Sequence, residues 1–142
     1  MTLPIRRATA ADAPACAAIL NDWIDATPWM PRIHSHGDVI RHYRDRVLPK
    51  ATVMVAGTDA VCGFVAADGP LVTALYLAPD ARGRGLGAGL LDAVRDGSQR
   101  LWTFVANAPA RRFYYRLGFA EIARSDGANE EGLPDILLER GP

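Results

Sequence analysis

Cysteine is scarce in this chain. Cys16 and Cys62 are the only two, and they form neither a CxxC pair nor a metal-ligand spacing. One sits in a helix-like run and the other in a strand-like run, the pattern of two buried thiols in a reducing compartment rather than of a disulfide framework. An excess of one charge is lacking too: 16 basic and 16 acidic side chains cancel. No broad basic field therefore exists to hold a nucleic-acid backbone. Long apolar runs are absent, since nothing approaches the roughly 18 residues a membrane helix needs. The N-terminal run MTLPIRRATAADAP has no apolar segment ahead of a cleavage site, so no leader is expected. The chain reads as soluble and cytoplasmic, with neither nucleic acid nor membrane as a partner. No GlyLys pair occurs, which excludes a P-loop.

What is present is 49% hydrophobic residues in a length of 142 that suits one domain, enough for a core without staples. Leu3 to Arg7 predicts a short strand. Thr9 and Asp12 have capping-box spacing and Pro14 suits a first turn, so a helix starts between Thr9 and Asp12. Its core face is Cys16, Ile19, Leu20, Trp23 and Ile24, at helical spacing, and the segment 27–31 breaks it. A second helix spans Asp38 to about Leu48 on Val39, Ile40, Tyr43 and Val47, with Pro49 as its stop. The period then turns to β. Thr52 to Ala56, Val61 to Ala66 and Leu71 to Leu77 predict an antiparallel meander, with Asp68-Gly69 as a two-residue hairpin turn. A helix from Gly85 to Asp96, a strand from Leu101 to Val105, a helix from Pro109 to Leu117 and strands Phe119 to Ala123 and Ile136 to Glu139 complete the order. This succession implies an α/β (α+β) fold, a mixed sheet with helices on both faces.

The most informative stretch is LYLAPDARGRGLGAGLL, residues 75–91. Glycines stand at the alternate positions 83, 85, 87 and 89, between the end of a strand and the start of a helix. Glycines let backbone N–H groups approach a ligand closely, and a helix N-terminus adds oriented donors with about half a positive charge. The stretch is an anion site suited to a phosphate or pyrophosphate, with Arg82 and Arg84 adding charge. Gly83-x-Gly85-x-x-Ala88 matches a dinucleotide fingerprint in form, but Leu101 to Ala106 lacks the acidic residue that would hold a ribose. Helix packing alone is the plainer use of such glycines, yet Arg-Gly-Arg-Gly-Leu-Gly exceeds what a turn requires.

Arg82-x-x-Gly85-x-Gly87 after Pro79 resembles the acyl-CoA signature Q/R-x-x-G-x-G/A of the GCN5-related N-acetyltransferase (GNAT) family. Asn107 to Phe119, NAPARRFYYRLGF, is similar to that family's second motif, an Asn at a strand end and a helix closing on FYxxLGF. The resemblance covers Ile5 to Glu139, most specifically Leu75 to Phe119, so residues 1–142 are expected to form a single N-acetyltransferase domain. It implies acetyl-CoA as cosubstrate, bound where the fourth and fifth strands splay into a V. It implies that the strand backbone at Leu75, Tyr76 and Leu77 runs along the pantetheine, with Leu75 and Leu77 pairing to it. The amides of Gly83, Arg84, Gly85, Leu86, Gly87 and Ala88 would wrap the pyrophosphate. Asn107 carries over as the side-chain contact to the pantetheine arm, and Tyr114 as the residue near the thioester sulfur.

Amine acetylation needs a neutral amine, a donor for the tetrahedral oxyanion and a proton for the departing thiolate. With an ordinary pKa of about 10 against about 8.5 for a thiol, the Tyr114 phenol can protonate the thiolate as general acid, the transfer being slightly uphill unless the site adjusts it. Tyr115 points about 100° away on the same helix. The oxyanion would meet the backbone N–H of Leu77. No carboxylate base stands on either strand: the first is LVTALYL, and Trp102 occupies the matching place on the second. Thr73 or Tyr76 with a water, or Asp68, His34, His36, Glu130 or Glu131 from loops, remain open for that task.

On the acceptor side, Trp29, Arg32 and His34 are candidate substrate residues, with Thr73 from the strand. Arg32 suits a substrate carboxylate or phosphate, whereas Glu130-Glu131 would draw a cationic amine. His34, His36 and His42 lack a Cys or carboxylate at ligand spacing, so no metal is expected. The expected activity is acetyl transfer from the CoA thioester to a primary amine by direct attack, on a small-molecule or peptide amine. The alternatives are a catalytically silent acyl-CoA-binding module, suggested by the missing base, and a protein or peptide N-acetyltransferase. A homodimer is compatible with the sequence.

Overall fold

In the computed structural model, which describes residues 3–142, β1 (Ile5–Arg7) leads into α1 (Ala13–Ala26), α2 (His36–His42) and a one-turn α3 (Leu48–Lys50). Met1 and Thr2, which begin the run read above as free of a leader, lie outside the described residues. The meander β2 (Thr52–Ala56), β3 (Gly63–Asp68) and β4 (Leu71–Leu77) comes next. Then follow α4 (Leu86–Ala93), β5 (Gln99–Phe104), α5 (Ala108–Arg116), β6 (Ala120–Ser125) and β7 (Asp135–Arg140). The strands make one sheet in the order β1-β2-β3-β4-β5-β7-β6, antiparallel except where β4 meets β5. No helix among the described residues is long and apolar enough to cross a membrane.

Strand alternation sends side chains to two cores, one on each face of the sheet. Val53, Val55, Phe64 and Ala66 pack under α1 and α2 with Cys16, Ile19, Val39 and Tyr43. Val65, Leu101, Ile136 and Leu138 pack under α4 and α5 with Leu86, Leu90 and Leu91. Burying a leucine such as Leu90, wholly shielded here, contributes about 1.5–3 kcal/mol. A buried polar clamp closes the second core. Arg140 donates to Gln99 Oε1 at 2.7 and 3.0 Å and covers the Phe119 ring at 4.9 Å, while Gln99 Nε2 donates to Leu91 O at 2.9 Å.

Several expectations from sequence are corrected. Pro49 does not stop the second helix: Tyr43–Val47 form a π-turn in which Leu48 N–H reaches Tyr43 O, and the helix resumes to Lys50. A proline lacks an N–H and its ring crowds the carbonyl four residues back; the wider turn accommodates both. Ile40, expected in the core, is 38% exposed, because Val39 and Tyr43 already supply the inward stripe. The hairpin turn is Gly69-Pro70, since Asp68 still pairs with Leu71, and Gly69 takes the positive φ of +58° that such a turn demands. The helix after the glycines ends at Ala93, not Asp96.

One irregularity shapes the site. Ala74 pairs with Ala66 but Val72 with Ala67, leaving Thr73 as an extra residue whose Oγ1 donates to Ala66 O at 3.2 Å. A bulge bends its strand and increases the twist. β4 accordingly pairs with β5 only at Leu71–Arg100 and Val72–Leu101, after which the two parallel strands part.

Candidate active site

The parting of β4 and β5 opens a cleft of about 900 Å³ through the sheet. Ala78 donates its N–H to Cys62 O at 2.8 Å, on the β3 side. Alternation along an extended strand then turns the N–H and C=O of Leu77 and Leu75 the other way, into the V. That edge has no strand partner beyond Val72, so it offers main-chain pairing to an extended ligand. Leu75 and Leu77 point their side chains to the α4 face, whereas Tyr76 points toward α1.

Below the V, the chain turns into α4 through Gly83 and Gly85, at φ +75° and +76°. A Cβ at either would meet nothing within 4 Å, so backbone conformation, not crowding, demands glycine there. Gly87 differs: a Cβ would lie 2.9 Å from Phe113 Cζ of α5. The glycine pattern thus serves a left-handed turn at its start and helix packing further on. Gly85 O accepts from Gly89 N at 3.1 Å, and the N–H groups of the first turn at Leu86, Gly87 and Ala88 have no acceptor within the helix. Gly83, Gly85, Leu86 and Gly87 line the cleft; Arg84 and Ala88 do not. Arg82 lines it and folds back on Leu77 O, at 3.2 and 3.3 Å.

Asn107 caps α5, its Oδ1 accepting from Ala110 N at 3.3 Å, and it lines the cleft. Tyr114 lines the cleft too, 8% exposed, its ring packed on Phe113 and Phe119 at 5.2 and 5.4 Å. Its phenol has no hydrogen-bond partner among the described residues, and burial raises its pKa, which keeps the proton on oxygen. Tyr115 is 43% exposed and lies outside the cleft.

A second cavity, of about 440 Å³, lies on the α1–α2 face and shares Tyr76 and Phe104 with the first. Leu20, Ile24, Met30 and Val39 give it apolar walls, and Glu130 and Glu131 bring carboxylates from the loop before β7. The expected core face of α1 therefore divides: Cys16 and Ile19 are buried in the core, whereas Leu20, Trp23 and Ile24 face the two cavities. Trp29, expected on the acceptor side, lines the first cleft and not the second cavity, edge-on to Trp23 and Phe104, each at 5.8 Å.

The acetyltransferase (GNAT) domain model matches residues 49–121. The chain belongs to the GNAT family. A peptidyl-lysine N-acetyltransferase of Salmonella typhimurium, YjaB, is 31% identical, with 97% of each chain covered. Another from Escherichia coli, YiaC, is 34% identical over 94% of each. Among solved structures, apo YjaB of Escherichia coli has a TM-score of 0.77 at 26% identity, covering 98% of this chain and 97% of that one. The fold also matches yncA of Salmonella typhimurium, solved with its cofactor acetyl-CoA, at TM-score 0.74 and 21% identity over 99% and 94%.

Within this GNAT domain the acceptor-side expectations sort by geometry. Arg32 lines neither cavity, because its guanidinium is occupied by Asp25 Oδ1 (2.9 Å), Asn21 Oδ1 (3.0 Å) and His34 O (2.9 Å). It pins the 27–35 loop to α1 and is not available to a substrate anion. His34 lines the second cavity and pairs with Glu130 at 3.2 Å. His36 is held by Asp25 Oδ2 at 2.7 Å, and Asp68 lines neither cavity. Thr73 lines the cleft with its hydroxyl spent on the bulge. Sequence reading missed Tyr43 as a wall of the second cavity; its helical spacing marked it only as core.

Proposed function

We propose that the chain acetylates a primary alkylamine, the side chain of a lysine in a peptide or protein, with acetyl-CoA as donor. The observation that carries this reading is the second cavity, apolar along its walls and carboxylate-bearing at Glu130 and Glu131. A lysine side chain has that same division, a four-carbon apolar stem and a compact cation. The names of the relatives point to the same acceptor class.

The residues of the V fit acetyl-CoA: a free strand edge for an extended arm, and uncapped helix amides beside Arg82 for a pyrophosphate. When bound, that group supplies an acetyl thioester. Leu77 N–H, turned into the V, is the donor placed for negative charge developing on the acetyl oxygen, and one such donor is commonly worth about 10²–10³ in rate. Tyr114, protonated and open to the cleft, donates a proton to the departing sulfur. Tyr76 and Phe104, which border both cavities, flank the place where the two meet. Every residue invoked belongs to one chain, so the reading requires no second copy.

The test is a panel assay with free-thiol release and mass spectrometry as readouts. Peptides with one internal lysine, peptides offering only an N-terminal amine, polyamines, amino acids and aminoglycosides are compared by kcat/KM. Nε-acetylation of the lysine peptides at the highest kcat/KM is expected. A preference for any small-molecule amine, or modification of N-terminal amines alone, would overturn the acceptor class. Lys50 is the chain's single lysine, so self-acetylation is readily told apart.

A further inference from the structure

The two strands flanking the V carry no group able to take a proton from the acceptor, and most loop candidates are engaged. His36 is bonded to Asp25, His34 to Glu130 and the Thr73 hydroxyl to Ala66 O. Asp68 faces neither cavity. Glu131 differs from all of them. It lines the acceptor cavity, and its Oε2 is shielded from solvent with no hydrogen-bond partner among the described residues. An orphaned buried carboxylate oxygen is costly and is kept where it has work to do.

The turn that presents it is rigidly made. Asn129 Nδ2 donates to Leu133 O at 2.7 Å and to Asp135 Oδ2 at 3.1 Å, Leu133 N returns to Asn129 Oδ1 at 3.2 Å, and Gly132 N reaches Asn129 O at 3.2 Å. Gly132 takes φ +67° to complete the turn. Ser125 Oγ, bonded to Asp135 Oδ1 at 2.5 Å, closes the loop at its base.

We propose that Glu131 is the general base of the acetyl transfer, receiving the acceptor ammonium in the second cavity and taking its proton; this rests on the alkylamine reading above. The groups facing Glu131 there are Tyr76 from β4, Asp38 and His42 from α2, Tyr43 from the π-turn, His34 from the loop before α2, and Glu130 beside it. Burial first, and then the Glu131 charge, push the Tyr76 phenol up to about 12, so Tyr76 remains a neutral donor and does not compete as base.

The step balances in atoms. A lysine-type ammonium of pKa about 10.4 is only about one part in 2,500 neutral at pH 7. Oε2 of Glu131 takes one N–H proton. The freed lone pair forms the N–C bond to the acetyl carbon as the C–S bond breaks. The sulfur takes the Tyr114 proton, the nitrogen's second proton refills the Tyr114 oxygen, and Glu131 releases its own to water.

Glu131→Gln keeps the shape and removes the base. At pH 7 its kcat/KM for a lysine peptide should fall about 10²–10⁴-fold, and the deficit should close as the pH rises toward that of the free amine. Trifluoroethylamine, already neutral at pH 7, should be acetylated within a few-fold of wild type. Calorimetry of butylammonium on the chain should show at least tenfold weaker binding in Glu131→Gln with acetyl-CoA affinity unchanged, and Glu131→Asp should recover part of the rate. Wild-type kcat/KM in Glu131→Gln at pH 7, or an equal deficit for both amines at every pH, would overturn the assignment. A wild-type chain inert toward alkylamines but active on another acceptor would instead sink the alkylamine reading, while undiminished butylammonium binding by Glu131→Gln would sink this one.

Discussion

Gly85 and Gly87 stand two apart, yet replacing each by alanine should fail for different reasons. Gly85 sits at φ +76° with open space around a Cβ. Alanine there bears the left-handed penalty of about 1–2 kcal/mol, less a few tenths for a stiffer unfolded chain, and no second substitution relieves it. Gly87 is helical, where alanine would gain about 1 kcal/mol of propensity. Its Cβ, however, would arrive 2.9 Å from Phe113 Cζ, roughly half an ångström inside ordinary contact, and overpacking of that kind costs about 1–3 kcal/mol. Phe113→Leu withdraws the obstructing ring tip, so in that background Gly87→Ala should turn from neutral or destabilising to stabilising. The coupling read from a urea-unfolding double-mutant cycle should be at least about 1 kcal/mol for Gly87 with Phe113, and within about 0.5 kcal/mol of zero for Gly85 with Phe113. Additive behaviour at Gly87, or coupling at Gly85, would refute the division of roles. A bulky residue at 87 consequently tests helix packing before it tests ligand approach.

Tyr114→Phe should lower kcat about 10²–10⁴-fold with acetyl-CoA affinity little changed, while Tyr115→Phe, at an exposed position outside the cleft, leaves kcat intact; a full-rate Tyr114→Phe enzyme would remove the phenol from the chemistry. Arg140→Ala leaves the Gln99 Oε1 atom buried without its partner and should cost about 1–3 kcal/mol in urea unfolding; a loss under about 0.5 kcal/mol would show that water replaces the clamp. The Arg6 guanidinium, hydrogen-bonded at 2.8 and 2.9 Å, holds the Asp12 carboxyl down to about 2 against an ordinary value of 3.8. That depressed pKa contributes stability above the unfolded value which is lost as pH falls from about 4 through about 2. The stability gap between wild type and Arg6→Ala should therefore close across that window, and a gap unchanged between pH 6 and pH 2 would contradict the linkage.

The lining of the cleft between β4 and β5 was largely legible in the sequence because much of it is backbone. Gly83 and Gly85 are visible as glycines for the same reason they are needed, a positive φ, and Tyr114 is fixed by its place in a short helix between Asn107 and Gly118. The meander and the mixed sheet follow from periods that each segment carries locally. Of the second cavity only His34, Glu130 and Glu131 were legible, since its walls come from α1, α2, β4, β5 and the loop before β7, far apart in the chain. Arg32 shows the difficulty: an arginine in a loop looks available until Asp25, Asn21 and the His34 carbonyl are seen to occupy it. Pro49 shows another, for a stop signal fails where a neighbouring turn can widen.

The Thr73 bulge links the two sides. By bending β4 away from β5 it leaves the N–H groups of Leu75 and Leu77 facing the cleft, and it sends the Tyr76 ring through to the opposite face, where it becomes a wall of the second cavity. Tyr76 and Phe104 then border both spaces, so the place where the cavities meet is where a reacting nitrogen and an acetyl carbon would come together. On the proposed reading, a donor held by main-chain groups would tolerate almost any side chain of similar bulk at Leu75 or Leu77. An acceptor held by side chains from loops would not, so on that reading changes at Met30, His34 and Glu130 would alter the substrate and leave the cleft between β4 and β5 as it is.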